Sequence, residues 1–125
     1  RLTALENVAL PLVYAGMGKK LRTEKAMHVM EMVSLTDRSH HKPNELSGGQ
    51  RQRVSVARAL VNNPAIILAD EPTGNLDTET GRAVIDLLFE LNQNSGTTLV
   101  LVTHDERLAA RCSKQLRLAS GQIVL

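Results

Sequence analysis

Three short segments of the chain carry residues that could do chemistry together. The first is Ser47-Gly48-Gly49-Gln50, at the predicted start of a helix. The two glycines leave backbone N–H groups uncovered, the Ser47 hydroxyl adds a donor, and the positive end of the helix dipole lies behind them. This arrangement suits an anion, especially a phosphate. Since Ser47 and Gln50 also have the spacing of a capping box, a purely structural role stays open.

The second segment is an apolar run, Ala65 to Ala69, that ends in the adjacent acids Asp70 and Glu71. Open α/β sheets place their ligands at the carboxyl ends of the strands. An Asp at that position can hold Mg²⁺, commonly through water, and the next Glu can polarise an attacking water as a general base. The alternative is a strand that has simply reached solvent.

The third segment is Thr103-His104-Asp105, which follows the apolar run Thr98 to Val102. A histidine there can donate a hydrogen bond to a phosphate oxygen in the same crevice. Alternatively, Thr103 and Glu106 form a capping box and His104 is merely exposed. The remaining histidines have no acid or cysteine partner at ligand spacing and are predicted to be solvated: His28, His40 and His41.

The elements that must position these segments follow an α/β rhythm after a helical first third. A capping box, Thr3 to Glu6, predicts a first helix that Pro11 should end or kink. Further helices are predicted over Thr23 to Ser34, Gly49 to Val61, Thr80 to Asn94 and Glu106 to Arg111. The continuous apolar runs predict parallel strands buried on both faces. A hairpin is expected around Ser120-Gly121, between Gln115–Leu118 and Gln122–Leu125.

Composition limits the classes of protein that this chain can belong to. Its 125 residues are 42% hydrophobic and 22% charged, which is typical of a globular domain rather than of disorder. Aromatic residues make up 2% and the net charge is +2, so neither base stacking nor a basic surface indicates a nucleic-acid partner. Cys112 is the one cysteine, which fits a reducing compartment, and no apolar run is long enough for a membrane span.

Taken together and in this order, the motifs resemble those of the ATP-binding subunits of ATP-binding cassette (ABC) transporters over essentially the whole chain. Leu46-Ser47-Gly48-Gly49-Gln50 is similar to the ABC signature, and Leu68-Ala69-Asp70-Glu71-Pro72-Thr73 to Walker B with its catalytic Glu. Gly74-Asn75-Leu76-Asp77 resembles the D-loop and His104 the switch histidine.

The resemblance implies an α/β fold, the P-loop NTPase core of ABC ATPases, with a partial parallel sheet, flanking helices and a helical subdomain. Residues 1–63 would be the helical subdomain with the signature, and residues 64–125 the second half of the catalytic core. By resemblance, Asp70 positions Mg²⁺, Glu71 activates water and His104 contacts the γ-phosphate of ATP. The signature residues Ser47, Gly48, Gly49 and Gln50 close on ATP of the second ATPase subunit in a head-to-tail dimer, with Asp77 at the seam.

Within the family, the segments Leu2 to Val8 and Ala69 to Asp77 most resemble one bacterial branch. It contains the lipoprotein-releasing-system, macrolide-exporter and related cell-division ATPases. By resemblance, the parent protein drives a transmembrane permease for lipoproteins, peptides or drugs from the cytoplasmic face of the inner membrane. The cargo is selected by the permease and is not predicted.

A Walker A loop, Gly-x-x-x-x-Gly-Lys-Ser/Thr, is absent from the sequence. In the one Gly-Lys pair, Gly18-Lys19, Val13 occupies the place of the first glycine and Lys20 that of Ser or Thr. No Met precedes Arg1 either, so we expect the chain to lack the first ATP-binding half of such a subunit. We therefore expect it to be inactive alone and to leave the strand Thr98 to Val102 with an unpaired edge.

Two other classes of protein are alternatives to an ABC transporter subunit. DNA-repair and chromosome-maintenance ATPase heads share this kind of signature, but they carry long coiled-coil insertions. Here a single helix separates Gln50 from Ile66, without a heptad run or a basic face. The second alternative is a non-catalytic interaction module, against which the intact Glu71 and His104 argue.

Overall fold

The computed structural model of the chain describes residues 1–74 and 76–124. Two positions of the predicted motifs, Asn75 and Leu125, lie outside the described residues. Five α-helices and four strands follow one another within the described ranges: α1 Ala4–Tyr14, α2 Lys19–Met32, α3 Gly48–Leu60, β1 Ile66–Asp70, α4 Thr78–Ser95, β2 Thr98–Val102, α5 Glu106–Ala110, β3 Arg117–Ala119 and β4 Gln122–Val124. Two 3-10 turns, Thr36–Arg38 and Pro43–Glu45, lie between α2 and α3.

Helix α1 begins at the predicted capping box. The Glu6 N–H donates to Thr3 Oγ1 over 3.2 Å, and the Thr3 N–H donates to Glu6 Oε1 over 2.9 Å. We expected Pro11 to end or kink this helix. Pro11 does not end it, because α1 continues to Tyr14. Val8 and Leu12 are 0% and 1% exposed, and α1 packs against both α2 and α3. We attribute the continued helix to this burial, which outweighs the one backbone donor that proline lacks.

Helix α2 begins at Lys19, four residues before the predicted start, and ends at Met32. In this segment, Ala26, Met30 and Val33 are buried and Met27 is partly buried. The Met30 side chain therefore fills the core, the role that flexible methionine side chains commonly have.

Strands β1 and β2 are parallel, with Ile66 opposite Thr98 and Asp70 opposite Val102. Helix α4 connects them and packs on β2, as the strand–helix–strand pattern predicts. The expectation that both strands are buried on both faces is wrong, since the Leu68 side chain is 77% exposed. Alternate side chains of a strand point to opposite faces, and the helices bury only the face that carries Ile67. The other face exposes Ile66, Leu68, Val100 and Val102.

Strands β3 and β4 form a separate antiparallel hairpin, as predicted from Ser120-Gly121. An open cleft of about 440 Å³ lies between β2 and this hairpin, and Leu101, Leu118 and Val124 are among the residues that line it. In the part of the chain that the structure describes, β2 pairs with β1 alone. The outer edge of β2 is thus unpaired there, as expected.

The buried side chains form one largely aliphatic cluster that includes residues from both the helical part and the α/β part. Of the two aromatic residues, Phe89 is buried in it and Tyr14 is exposed. The turn Val61 to Pro64 joins the two parts, and we propose the subdomain boundary at residues 63 and 64 for that reason. None of the described helices is long and apolar enough to cross a membrane.

Candidate functional site

The carboxyl ends of β1 and β2 bring the second and third chemical segments together. Asp70 is the last residue of β1, and the Glu71 N–H donates to the carbonyl of Val102 over 2.8 Å, which extends the ladder by one residue. His104 follows Val102 closely in the chain, so the parallel register alone places it beside Glu71. Two segments 33 residues apart therefore meet at one edge of the sheet.

Glu71 and His104 are in direct contact. One carboxylate oxygen, Glu71 Oε1, accepts the His104 backbone N–H over 2.8 Å and lies 2.6 Å from His104 Nδ1. The carboxylate can only accept, so Nδ1 is the donor of the second bond. The His104 side chain is 92% exposed, and the Glu71 side chain 36%. The imidazole therefore stands in solvent, where it can reach a ligand while its Nδ1 holds Glu71.

The backbone at Glu71 is in the left-handed region, with φ of +45°. This is an uncommon conformation for a residue with a side chain, and such outliers concentrate at functional sites. It ends β1 and begins a turn in which the Gly74 N–H donates to the Glu71 carbonyl over 3.1 Å. The sharp turn leaves the Glu71 carboxylate at the end of the sheet, beside His104.

Thr103 holds the second oxygen of the same carboxylate, a contact that the sequence did not single out. Its hydroxyl donates to Glu71 Oε2 over 3.4 Å and accepts the Asp105 N–H over 3.0 Å. The capping box considered for Thr103 and Glu106 is wrong, because Asp105 caps α5 by accepting the N–H groups of Arg107 and Leu108. The Thr103 hydroxyl is therefore available to Glu71.

Hydrogen bonds from the His104 side chain and backbone, with a smaller contribution from Thr103, hold the pKa of the Glu71 carboxyl below its ordinary value, although desolvation acts against them. The residue is thus a carboxylate at neutral pH, the form that a general base needs. While these bonds are made, the same stabilisation makes it a weaker proton acceptor.

Asp70 is exposed, and among the described residues its carboxylate makes no hydrogen bond and no salt bridge. Over the same residues, no cluster of three or more His, Cys, Asp or Glu side chains could hold a metal ion. A free carboxylate with no further protein ligands fits Mg²⁺, which usually keeps several waters and takes one or two carboxylates together with substrate phosphates. It does not fit a closed structural metal site.

The signature segment forms the predicted capping box at the start of α3. The Gln50 N–H donates to Ser47 Oγ over 3.1 Å, and the Ser47 N–H donates to Gln50 Oε1 over 2.9 Å. The two roles considered for Ser47 are compatible, because its oxygen accepts in the cap while its hydroxyl proton remains available to a ligand. Ser47 is exposed.

The two signature glycines have different surroundings. Gly48 is half-buried, and a Cβ there would be in ordinary contact with Leu76 at 3.5 Å. Gly49 is buried, and the methyl group of Thr80 in α4 lies in the space that a Cβ would need. Gly49 is thus required for the close approach of α3 and α4, whatever else it binds.

Arg51 also acts on the signature segment, and it was not predicted as a site residue. Its Nη1 donates to the Leu46 carbonyl over 2.6 Å and to the Pro43 carbonyl over 3.3 Å. These bonds fix the chain that enters Ser47. An arginine on the first turn of a helix that follows such a loop is a weak signal that could have indicated this contact.

Asp77 caps α4: its Oδ1 accepts the Thr80 N–H over 2.8 Å. Hydrogen bonds from Thr80 lower the pKa of the Asp77 carboxyl from its ordinary value, against a smaller effect of desolvation. Asp77 is exposed, so it is accessible to a second subunit.

The predicted site residues thus fall into two groups. The strand-end group, defined as Asp70, Glu71 and His104, lies at the edge of the sheet. The helix-start group, defined as Ser47 to Gln50 together with Asp77, lies where α3 and α4 begin. Within the described ranges no hydrogen bond joins one group to the other.

The family model described as "ABC transporter" matches residues 1–74. The lipoprotein-releasing system ATP-binding protein LolD of Syntrophus aciditrophicus (strain SB) is 53% identical over 122 residues, which are 98% of this chain and 55% of that protein. The ATP-binding cassette MJ0796, solved as a dimer bound to ADP and Pi in a post-hydrolysis state, is 51% identical, with a TM-score of 0.73 over 86% of this chain and 48% of that one.

An ABC transporter solved in an inward-facing conformation is also similar, at 30% identity and a TM-score of 0.91 over 98% of this chain and 51% of that one. The fold is therefore that of an ABC ATPase core, with its partial parallel sheet, flanking helices and helical part. The chain belongs to the ABC transporter family, as its motifs predicted. It spans about half the length of the curated relatives it matches.

Proposed function

We propose that this chain is part of an ATP-hydrolysing subunit of a bacterial ABC transporter. The contact between Glu71 and His104 carries the proposal, because it places a charged carboxylate and an exposed imidazole at the strand ends where this fold binds phosphates. Asp70, with its free carboxylate on the adjacent position, completes a set suited to Mg-ATP.

In the proposed reaction, Glu71 accepts a proton from water, whose oxygen attacks the γ-phosphorus as the bond to the bridging oxygen of ADP breaks. Bound Mg²⁺, held through Asp70, would neutralise charge on the phosphates. Thr103 and the His104 backbone N–H orient the carboxylate by binding one oxygen each. Because Nδ1 donates to Glu71, the outer nitrogen of His104 donates to a phosphate only when the ring is protonated.

The helix-start group would act on a second subunit. The N–H groups of Gly48 and Gly49 make no hydrogen bond within the described chain, and the Ser47 hydroxyl proton is unused. These donors lie at the positive end of a 13-residue helix and suit the γ-phosphate of ATP bound by the partner. The dimeric form of the MJ0796 cassette supports such an arrangement.

The proposal extends to the transporter as a whole. The similarity to LolD, the ATP-binding protein of a lipoprotein-releasing system, supports lipoproteins as cargo and a membrane permease as partner. The wider branch that the motifs resemble extends the proposed class of cargo to peptides or drugs. The subunit would then be peripheral, on the cytoplasmic face of the inner membrane. The chain described here would not turn over ATP alone, since it carries no Walker A loop.

The experiment compares the full-length protein that contains this sequence with its Glu71→Gln variant. The substitution keeps the size and a hydrogen-bonding group but removes the base, so hydrolysis should fall by about 10²-fold or more. ATP binding should survive, and an ATP-bound dimer should accumulate on size-exclusion chromatography. Loss of ATP binding in parallel with hydrolysis would instead make Glu71 a structural residue.

A further inference from the structure

Helices α3 and α4 touch through a glycine and a threonine whose contact has no part in the proposed chemistry. The Cγ2 methyl of Thr80 lies against the α-carbon of Gly49, in the space that any side chain at position 49 would fill. Protein interiors are close-packed, so a contact without spare room fixes the separation of its two elements. The first turn of α3 thus packs directly against Thr80. This turn carries the signature donors, which are the Ser47 hydroxyl and the N–H groups of Gly48 and Gly49.

Thr80 is itself fixed from the strand-end side of the molecule. Its N–H is held by the Asp77 cap, and the next residue, Gly81, is buried so close to Thr73 that a Cβ there would lie 3.2 Å from the Thr73 side chain. Thr73 belongs to the turn that begins at Glu71. A series of tight contacts therefore runs from the turn after Glu71, through the start of α4, to Gly49.

We propose that Thr80 is a positioning residue, whose methyl group sets the place of the signature donors relative to the turn that carries Glu71. This inference rests on the proposed function, because it assigns Thr80 to the same ATP site. A shift of the order of 1 Å in such donors can cost about 10²-fold in rate, so a contact with no slack at this position matters to catalysis.

The contact predicts a specific suppression in the full-length protein. Gly49→Ala forces α3 away from α4 and should lower kcat by about 10²-fold with little change in the ATP affinity of the monomer. Thr80→Ala removes the obstructing methyl group and leaves only a Cβ at 3.4 Å from the new one. The double variant should therefore recover at least about tenfold of the lost activity, because the effects of substitutions at two residues in contact are not additive.

Gly48→Ala is the matched control. A Cβ at position 48 meets Leu76 at an ordinary distance and does not approach Thr80, so Thr80→Ala should not rescue any defect of Gly48→Ala. Thr80→Val, which keeps a methyl group in place, should not rescue Gly49→Ala either. Thermal unfolding of each variant excludes simple misfolding as the cause of lost activity.

Recovery of kcat in the Gly49→Ala/Thr80→Ala protein, and in neither control, supports the inference. If the wild-type protein hydrolyses ATP and the double variant stays as inactive as Gly49→Ala, the loss at Gly49 arises from its own contact with phosphate and the inference is overturned alone. If the wild-type protein does not hydrolyse ATP, the proposed function falls and takes the inference with it.

Discussion

The helix-start group and the strand-end group were both predicted from sequence, but they are built in opposite ways. The Ser47 cap is made by residues 3 apart in the chain, whereas Glu71 and His104 are 33 apart and meet only because β1 and β2 pair. The Ser47–Gln50 part of the first group is complete wherever α3 forms. The second exists only in a folded sheet.

The two groups also differ in how many of their hydrogen-bonding atoms are still available to a ligand. At the strand ends, the carboxylate and the imidazole already bind each other, so a nucleotide there meets a preformed pair whose outer imidazole nitrogen is still exposed. At the start of α3, the cap satisfies one N–H and leaves the Gly48 and Gly49 donors free within the described chain. Unsatisfied donors at a helix start are suited to an anion, and we propose that the second subunit supplies it.

The largest expected effect is a complete absence of ATP hydrolysis by the 125-residue chain. It tests whether the helix-start group and the strand-end group are sufficient for hydrolysis. The 125-residue chain contains both but no Walker A loop, so nothing cradles the α- and β-phosphates. We expect no Mg-ATP turnover from the purified chain in a phosphate-release assay. Turnover of about 0.1 per second or more, abolished by Glu71→Gln, would contradict this expectation.

The next effect distinguishes the contribution of His104 to hydrolysis from that of Glu71. In the full-length protein, His104→Ala removes the imidazole but keeps the backbone N–H that also holds Glu71. Hydrolysis should therefore fall by about tenfold to 10²-fold, less than in Glu71→Gln, with a larger change in kcat than in KM. His40→Ala, at an exposed position, is the matched control and should leave both parameters unchanged. A loss in His104→Ala greater than in Glu71→Gln would make the histidine the principal group.

Much of the fold could be predicted because local signals and periodicity agreed. The capping boxes at Thr3 and Ser47 each depend on a few adjacent residues, so the local sequence was enough to predict them. The parallel orientation of β1 and β2 was predicted from their continuous apolar runs, and the structure supplies their register.

The errors arose where packing decides the outcome. Pro11 would break an isolated helix, but burial of Val8 and Leu12 holds α1 together around it. The apolar run of β1 is compatible with burial on both faces, and no local pattern reveals that Leu68 is exposed in this chain. The roles of Thr80 and Thr103 depend on tertiary contacts that spacing alone does not encode.

The smallest expected effect is a change in thermal stability when the Asp77 cap of α4 is altered. The pKa of Asp77 is lowered in the folded chain, so its ionised cap stabilises the fold above the ordinary value of 3.8, and this contribution is lost as pH falls through the lowered pKa. Asp77→Asn keeps a capping oxygen without the charge. Its thermal midpoint should lie below that of the wild type at neutral pH, and the gap should close in acid.

Glu79→Gln, which removes a neighbouring charge from the same first turn, controls for the helix dipole. A gap between wild type and Asp77→Asn that stays constant down to acid pH would mean that the charge of Asp77 does not contribute to the cap.

The central claim is that the two groups serve different nucleotides, and the ATP affinity of monomeric Ser47→Arg tests it most directly. The charged side chain should block dimer closure without reaching the nucleotide of its own subunit, so ATP binding by the full-length variant should stay near the wild-type value while the ATP-dependent dimer is lost. If Ser47→Arg weakens ATP binding in the monomer itself, the helix-start group serves its own subunit or the fold, and the claim is contradicted.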